Sequence, residues 1–434
     1  MNSPTPSAPM ITLGELIDRG AIEVTSGFPC GDHNSDGAGV LQIRPFNVTV
    51  NSTIALSTQK HVPASAAAGR PILETGDIVF NNTNTKELVG KTAVWNGPTG
   101  SVFSNHMTRI RPTVSGLSSL YLASAIHAHW VTGRSEMLAR SHVAQASILG
   151  KRFREIQIPW PKESAQVIFA DAFKNAQDSI QIQSDIVESL SALKGTVMRE
   201  LFSRGLRGEA QKDSEIGLVP ESWDVEAIGS HFLVGSGGTP PRGNARFWQG
   251  GQIPWVKTTE VQYNVITETE EHITADGLAN SAAKMLPAGT LLMAMYGQGV
   301  TRGKVAILGI DAACNQACAS MNRRADGQIE PRYLFHFLTY RYEDIRSFAH
   351  GGQQQNLNLD IVRDLQIAFP RNEEQQTAIV EVLDAIDAKI GLHRRKKAVL
   401  EELFRSLLHK LMAGEIRVAE LDLSALATKH EVVA

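Results

Sequence analysis

Three cysteines in 434 residues cannot build a disulfide framework, and a reducing, cytoplasmic setting is expected. Cys314 and Cys318 stand four apart without a second cysteine pair or a nearby histidine pair, so buried thiols are a plainer reading than zinc ligands. No apolar run reaches the roughly 18 residues that a membrane span needs. The opening MNSPTPSAPM has neither a basic region nor an apolar stretch; it reads as a short disordered lead rather than a signal peptide. Charge of one sign is also missing, because 42 Lys and Arg against 45 Asp and Glu leave a net charge of −3. A protein that coats nucleic acid nonspecifically is usually basic, so any such contact here must come from local patches or be shared with a basic partner. With 42% hydrophobic and 20% charged residues, wholesale disorder is excluded and two or three cores can be buried.

The marks of catalysis are scarce too. No NPPY or DPPY methylation motif occurs, and no glycine-rich S-adenosylmethionine loop follows a strand. Gly90, Lys91 and Thr92 come nearest to a phosphate loop, but Thr85 stands where the pattern wants glycine. The later Gly303, Lys304 and Val305 lack the hydroxyl for a metal ion. A tight turn with a lysine near a phosphate is the expectation, a solvated hairpin the alternative. His127 and His129 share a short helical stretch without a third ligand, and His272 follows two acids in a loop; neither set makes a metal site.

What the chain does have is itself, twice. GDIVF…VGKTAV (76–94) returns as GTLLM…TRGKVAI (289–307), and EIQIPWPKES (155–164) returns as DLQIAFPRNE (364–373). LKGTVMRELFSRGLRG (193–208) returns as LFRSLLHKLMAGEI (403–416), so the offset stays near roughly 210 residues. Two like modules make a pseudo-two-fold object, for which duplex DNA is a natural ligand.

Each module opens with a small mixed α/β region. Strands are expected at Ile78–Phe80, Thr92–Trp95 and Met107–Ile110, and again at Ile253–Lys257, Leu291–Met295 and Lys304–Leu308. Helices at Leu117–Thr132 and Tyr333–Phe348 close the two globules. A long helix of about 40–45 residues, roughly 60–65 Å, then follows in each. Ile186, Leu190, Leu193 and Val197 show the seven-residue returns of a coiled-coil seam, and Ile379, Leu383, Ile386, Ile390, Val399, Leu400 and Leu403 mark the second stripe. Asn372 with Gln375 resembles a capping box, and Gly205, Gly208 and Gly414 lie where the stops belong. Gly195 and Gly391 inside the helices cost about 1 kcal/mol each unless close helix approach compensates. Helices this long cannot bury their stripes on a small globule, so an antiparallel pairing is the simplest closure.

Polar runs beside the strands suit base reading, since Asn and Gln match adenine and Arg or Lys match guanine. In the first module these are Arg44, Asn47, Asn81, Asn82, Asn84, Lys86 and Lys91. In the second they are Thr239, Arg242, Asn244, Lys257, Thr258, Thr259, Tyr296, Gln298, Thr301, Arg302 and Lys304. Ordinary turn chemistry explains any one of them equally well. Arg394, Arg395, Lys396 and Lys397 form the densest basic run, fit for a DNA backbone, a partner subunit or a solvated helix face.

The segments GLVPESWDVEAIG (217–229), GGTPPRGNARFWQGGQIPWVKTTEV (237–261), NQACASM (315–321) and QQNLNLDIVRDLQIAFPRNEEQQTAI (354–379) resemble type I restriction-modification specificity subunits. The likeness covers the second module throughout. The first starts instead at MITLGEL (10–16) and lacks the Pro-x-x-Trp opening and the Gly-Gly-Thr-Pro turn, but keeps ETGDIVF, VGKTAV, SNHM and IQIPWP in place. The resemblance implies an α/β fold with two target-recognition domains separated by a long antiparallel two-helix coiled coil. The expected boundaries are 1–162 and 219–370 for the recognition domains, 163–209 and 371–418 for the helices, 210–218 for a linker and 419–434 for a tail.

It further implies a non-catalytic chain that reads a bipartite, asymmetric sequence in double-stranded DNA. Two methyltransferase subunits dock on it, and endonuclease-translocase subunits join through them. S-adenosylmethionine, ATP and Mg are expected on those partners only. Two readers on one face of B-DNA sit about 34–36 Å apart, a distance a rigid helix pair can set. A coiled-coil scaffold that reads no DNA is the alternative; a fused enzyme fragment lacks its motifs.

Overall fold

Short runs of branched residues between glycine turns form strands. In the computed structural model, which describes residues 9–141, 143–296, 301–348 and 356–413, Ile22–Ser26, Met107–Pro112, Ile78–Asn81 and Thr92–Val94 lie side by side in an antiparallel sheet. Side chains alternate between its faces. Ile78, Phe80 and Ile110 meet Tyr121, Leu122 and Ile126 of the helix Ser119–Val131. Val79, Ala93 and Met107 belong to a second core with Trp95 and Phe103.

Two compact units divide the chain: Met1–Ile186 with Leu392–Ala434, and Val187–Gly391. Their boundaries fall inside the long helices. In the second unit, Phe232–Ser236, Cys318–Arg323, Leu291–Ala294 and Val305–Leu308 take the same order as the four strands above, and Val265–Ile266 adds a parallel fifth. Leu291, Met293 and Ile307 face Tyr333, Leu334 and Phe337, while Leu292, Ala306 and Leu308 line the opposite core. Each unit also has a three-stranded sheet with one antiparallel and one parallel pairing. Its central strand is Val40–Ile43 in the first unit and Ile253–Val256 in the second.

Matched hydrogen bonds tie a helix of each unit to a further strand, Gln157–Pro159 in the first and Gln366–Phe369 in the second. Tyr121 Oη donates to the Pro159 carbonyl at 2.7 Å, and Tyr333 Oη to the Ala368 carbonyl at 2.8 Å. In the first turn of each long helix a glutamine amide reaches back to a proline carbonyl, Gln166 to Pro161 at 3.0 Å and Gln376 to Pro370 at 2.9 Å. Gly27 and Gly237 also correspond. A Cβ there would stand 2.2 Å from the Ser104 carbonyl oxygen and 1.9 Å from that of Cys314, so only glycine permits the approach.

The long helices span Glu163–Arg204 and Glu373–Ala413. Gly205, at φ +64°, ends the first. Asn372 caps the second, its Oδ1 accepting from Glu374 N at 2.8 Å and from Gln375 N at 3.4 Å, while the Gln376 amide donates to the Pro370 carbonyl. The stop expected at Gly414, and the tail, lie outside the described residues. Within the first unit Phe173 meets Phe404 edge-on at 6.1 Å, and His393 Nδ1 lies 2.7 Å from Gln183 Oε1. Within the second, Met198 and Phe202 share a core with Ile379 and Leu383, and Lys194 bonds Asp387 at 2.7 Å.

Several expectations need correcting. Leu193, Val399 and Leu403 are exposed rather than in a seam. A methyl group on Gly195 would meet nothing within 4 Å, so close helix approach does not explain that glycine. The stretch expected as one helix at 333–348 is two, Pro331–Tyr340 and Tyr342–Phe348. The expected linker is mostly a hairpin, Gln211–Ser214 paired with Gly217–Pro220, which turns at Glu215 and Ile216 into Gly217 at φ +96°.

Candidate nucleic-acid interface

In each unit the central strand of the small sheet runs into a short 3-10 turn that begins with a cation. Arg44 precedes Pro45–Asn47 in the first unit, and Lys257 precedes Thr258–Glu260 in the second. The turns are tied alike: Arg44 N donates to Asn47 Oδ1 at 3.0 Å, and Lys257 N to Glu260 Oε2 at 2.7 Å. Arg44 and Asn84 line a cleft of about 510 Å³ with Phe46, Asn105 and His106. Sequence reasoning passed over these last three, and also Trp248, Glu270 and Glu271 of the second unit. The signal that could have found them is the match of Arg44 with Lys257 at the repeat offset.

Four of the first unit's expected contacts are internal instead. Asn47 is buried, with its amide donating to the Ala55 and Thr58 carbonyls at 2.9 Å each. Asn81 is buried in its strand, and Asn82 donates to Thr108 Oγ1 at 2.9 Å. Lys91 is buried with its ammonium on the Val48 carbonyl, and burial lowers its pKa. A tight turn does occur at Gly90, φ +98°, but its lysine points inward, away from any phosphate. Lys86 is exposed and pairs with Glu136 at 2.8 Å. Asn84 belongs to the short strand Thr83–Asn84, which pairs with Ala146–Ser147.

In the second unit Glu271 draws Arg242 and Lys257 together. Arg242 bonds its carboxylate, and Lys257 lies 3.4 Å from it and 2.5 Å from Glu270. Burial alone would raise the Glu271 pKa, but the two cations outweigh it and hold the group low. The Glu270 hydrogen bond in turn raises Lys257. The Arg242 guanidinium stacks over Trp248 at 3.9 Å and Trp255 at 4.8 Å. Asn244 is turned inward to cap Arg246 N at 3.2 Å.

Thr239 bonds Gln316, Thr258 bonds Asn315, and Thr259 is exposed. Tyr296, Thr301 and Lys304 sit at the tip of a different hairpin, with Lys304 Nζ 2.5 Å from Gln262 Oε1. Arg302 beside them is buried, and Gln298 lies outside the described residues. On the second long helix Arg394, Arg395 and Lys396 are exposed, and Lys397 is 3.9 Å from Glu401.

The two histidines and the two thiols are engaged inside the protein. His127 is wholly buried, held between Thr92 N at 3.1 Å and the Val50 carbonyl at 3.0 Å, and burial pushes its pKa down to about 4. His129 lies 3.1 Å from Ser135 Oγ and is likewise lowered by burial to about 4. Cys314 and Cys318 are buried free thiols, and their mutual hydrogen bond, with burial, pushes the Cys318 thiol up. His336, Asp384 and Asp387 come close enough to invite a cation. Arg332 already bonds Asp384, and Lys194 bonds Asp387, each at 2.7 Å.

Residues 220–402 match the model of the type I restriction modification DNA specificity domain. That part of the chain carries a type I restriction modification DNA specificity domain, and the relatives the chain resembles are specificity subunits. The chain is 24% identical over 347 residues to a putative type I restriction enzyme specificity subunit, MjaX, of Methanocaldococcus jannaschii, covering 79% of each chain. It is 26% identical over 223 residues to the EcoR124I/EcoR124II specificity subunit of Escherichia coli, covering 49% of this chain and 54% of that one. The crystal structure of a type I system S subunit from M. genitalium shares the fold, with a TM-score of 0.61 at 12% identity over 95% of this chain and 98% of that one. A specificity subunit that reads DNA is therefore favoured over a scaffold that does not. No described helix is long and apolar enough to cross a membrane.

Proposed function

We propose that this specificity subunit reads a bipartite DNA target with two recognition domains, residues 1–162 and 219–370. The recurrence of one strand order in both units carries the reading. The same tyrosine and glutamine bonds and a cation at the same turn accompany it. The candidates that reach the surface at least in part, Arg44, Asn84, Lys86, Thr239, Arg242, Lys257, Thr258, Thr259, Tyr296, Thr301 and Lys304, are the contact set. Phosphate contacts would set position and base contacts sequence.

Residues 163–209 and 371–418 act as an antiparallel coiled coil, with 210–218 as the link and 419–434 as a tail. Contacts such as Phe173 to Phe404 and Gln183 to His393 support opposite chain directions, because one residue number rises as the other falls. Large apolar side chains left exposed on the helices, among them Leu193, Leu392 and Val399, suit two methyltransferase subunits. Endonuclease-translocase subunits would join through those, in the cytoplasm. Methyl transfer and cleavage, with S-adenosylmethionine, ATP and Mg, belong to the partners, and recognition belongs to this chain.

A binding assay with and without the methyltransferase subunits tests the reading. Weak binding alone and tight, salt-sensitive, sequence-dependent binding in the complex is expected. A complex that binds all sequences alike would refute it.

A further inference from the structure

Arg44 is half-buried, and among the described residues no carboxylate pairs with it. Its Nε donates to Gln42 Oε1 at 3.1 Å and an Nη to the Cys30 carbonyl at 3.2 Å. Two arginines of the neighbouring sheet in the same unit are matched: Arg109 pairs with Glu23 at 2.5 Å, and Arg111 with Asp77 at 2.6 Å. A guanidinium taken partly out of water without a counter-charge calls for acceptors from outside the chain. Two of its five N–H groups are engaged, which fixes the plane and leaves a donor edge for the cleft.

The equivalent place in the second unit sharpens the argument. Gln42 N donates to the Lys60 carbonyl at 2.8 Å, and Trp255 pairs with Glu271 across the corresponding strands. Lys60 therefore occupies the position of Glu271. The cation at the turn is kept, but its neighbour changes sign. Lys257 is neutralised by Glu270 and Glu271, whereas Arg44 faces a cleft supplied with donors. Guanine, with N7 and O6 side by side as acceptors, is the base that such a fork matches.

We propose that Arg44 is a specificity-determining residue that reads a guanine in the half-site of the first unit. Its donor edge meets N7 and O6, and Phe46, 48% exposed at the mouth of the cleft, packs against the neighbouring base. The turn that Asn47 ties down holds the reader still. This rests on the DNA-reading role proposed above.

The test reconstitutes the full chain and its Arg44→Ala and Arg44→Lys variants with the methyltransferase subunits. Modified adenines are then mapped on genomic DNA, with thermal melting as a check on folding. Both variants are expected to accept other bases at one guanine position of one half-site, with discrimination there falling roughly ten- to a hundredfold and the other half-site unchanged. Lysine keeps the charge but not the fork. If Arg44→Lys restores the original sequence, or if Arg44→Ala lowers modification evenly without relaxing any position, Arg44 holds a phosphate and the proposal is overturned. If Arg44→Ala does not fold, the lysine variant alone decides. A wild-type complex that modifies no discrete sequence would instead refute the DNA-reading role.

Discussion

The Nδ1 of His127 accepts a hydrogen bond from Thr92 N, which places the imidazole proton on Nε2, facing the Val50 carbonyl. Charging this buried ring opposes folding, so its pKa falls from 6.5 to about 4. Below the unfolded value the unfolded chain binds the proton and the folded one does not. Stability is therefore complete above about pH 6.5 and is lost as pH drops toward 4. Between pH 7 and 5 the contribution of His127 shrinks by about 2 kcal/mol, and His129 acts in the same direction. Urea denaturation at the two pH values should show the loss, and His127→Gln should reduce it. Gly195 is a simpler case: it is exposed, helical and surrounded by open space, so Gly195→Ala should stabilise by about 1 kcal/mol in the same assay. Which polar residues face out was the part least legible at this scale. Asn47 and Asn84 look alike along the chain, but one ties down a turn and the other lines a cleft. Lys91 and Lys304 follow matching glycines, yet only the first is buried.

Helix ends are written locally, by an asparagine cap at Asn372 and a left-handed glycine at Gly205, and both were legible. The seam was legible only in part, because burial along a long helix depends on what lies opposite. Where the periodic pattern pointed to Leu193, its neighbour Lys194 turns inward to Asp387. Asp384 similarly meets Arg332 and His336. Burial would raise its pKa, but these partners outweigh that and hold it at about 2. The first unit solves the same packing problem with aromatic rings. Phe404 is fully buried against Phe173, so Phe404→Ala should destabilise that unit by about 3–5 kcal/mol, read as a lower urea midpoint. Strand positions followed from branched runs between glycines to within a residue or two. The two-helix break at Arg341 carried no such local signal, since neither glycine nor proline marks it.

For the whole molecule, the repeat pointed to a two-fold ligand such as DNA, and the motifs of the second module pointed to the family, before any base contact could be named. The weaker first module hid one match: Gly27 does the work of Gly237 without the Gly-Gly-Thr-Pro motif around it. If the helix pair sets the interval between two readers, inserting residues in both helices should change the unread spacer and leave both half-sites intact. Mapping of modified adenines would show this, and an unaltered spacer would argue against a ruler. The central claim, that each domain reads its own half of the target, is tested most directly by exchanging residues 219–370 for those of a relative with a different target. Modified sites in a host that supplies the methyltransferase subunits are then sequenced. The account predicts a new sequence in one half-site and the original in the other; a change in both halves, or in neither, would contradict it.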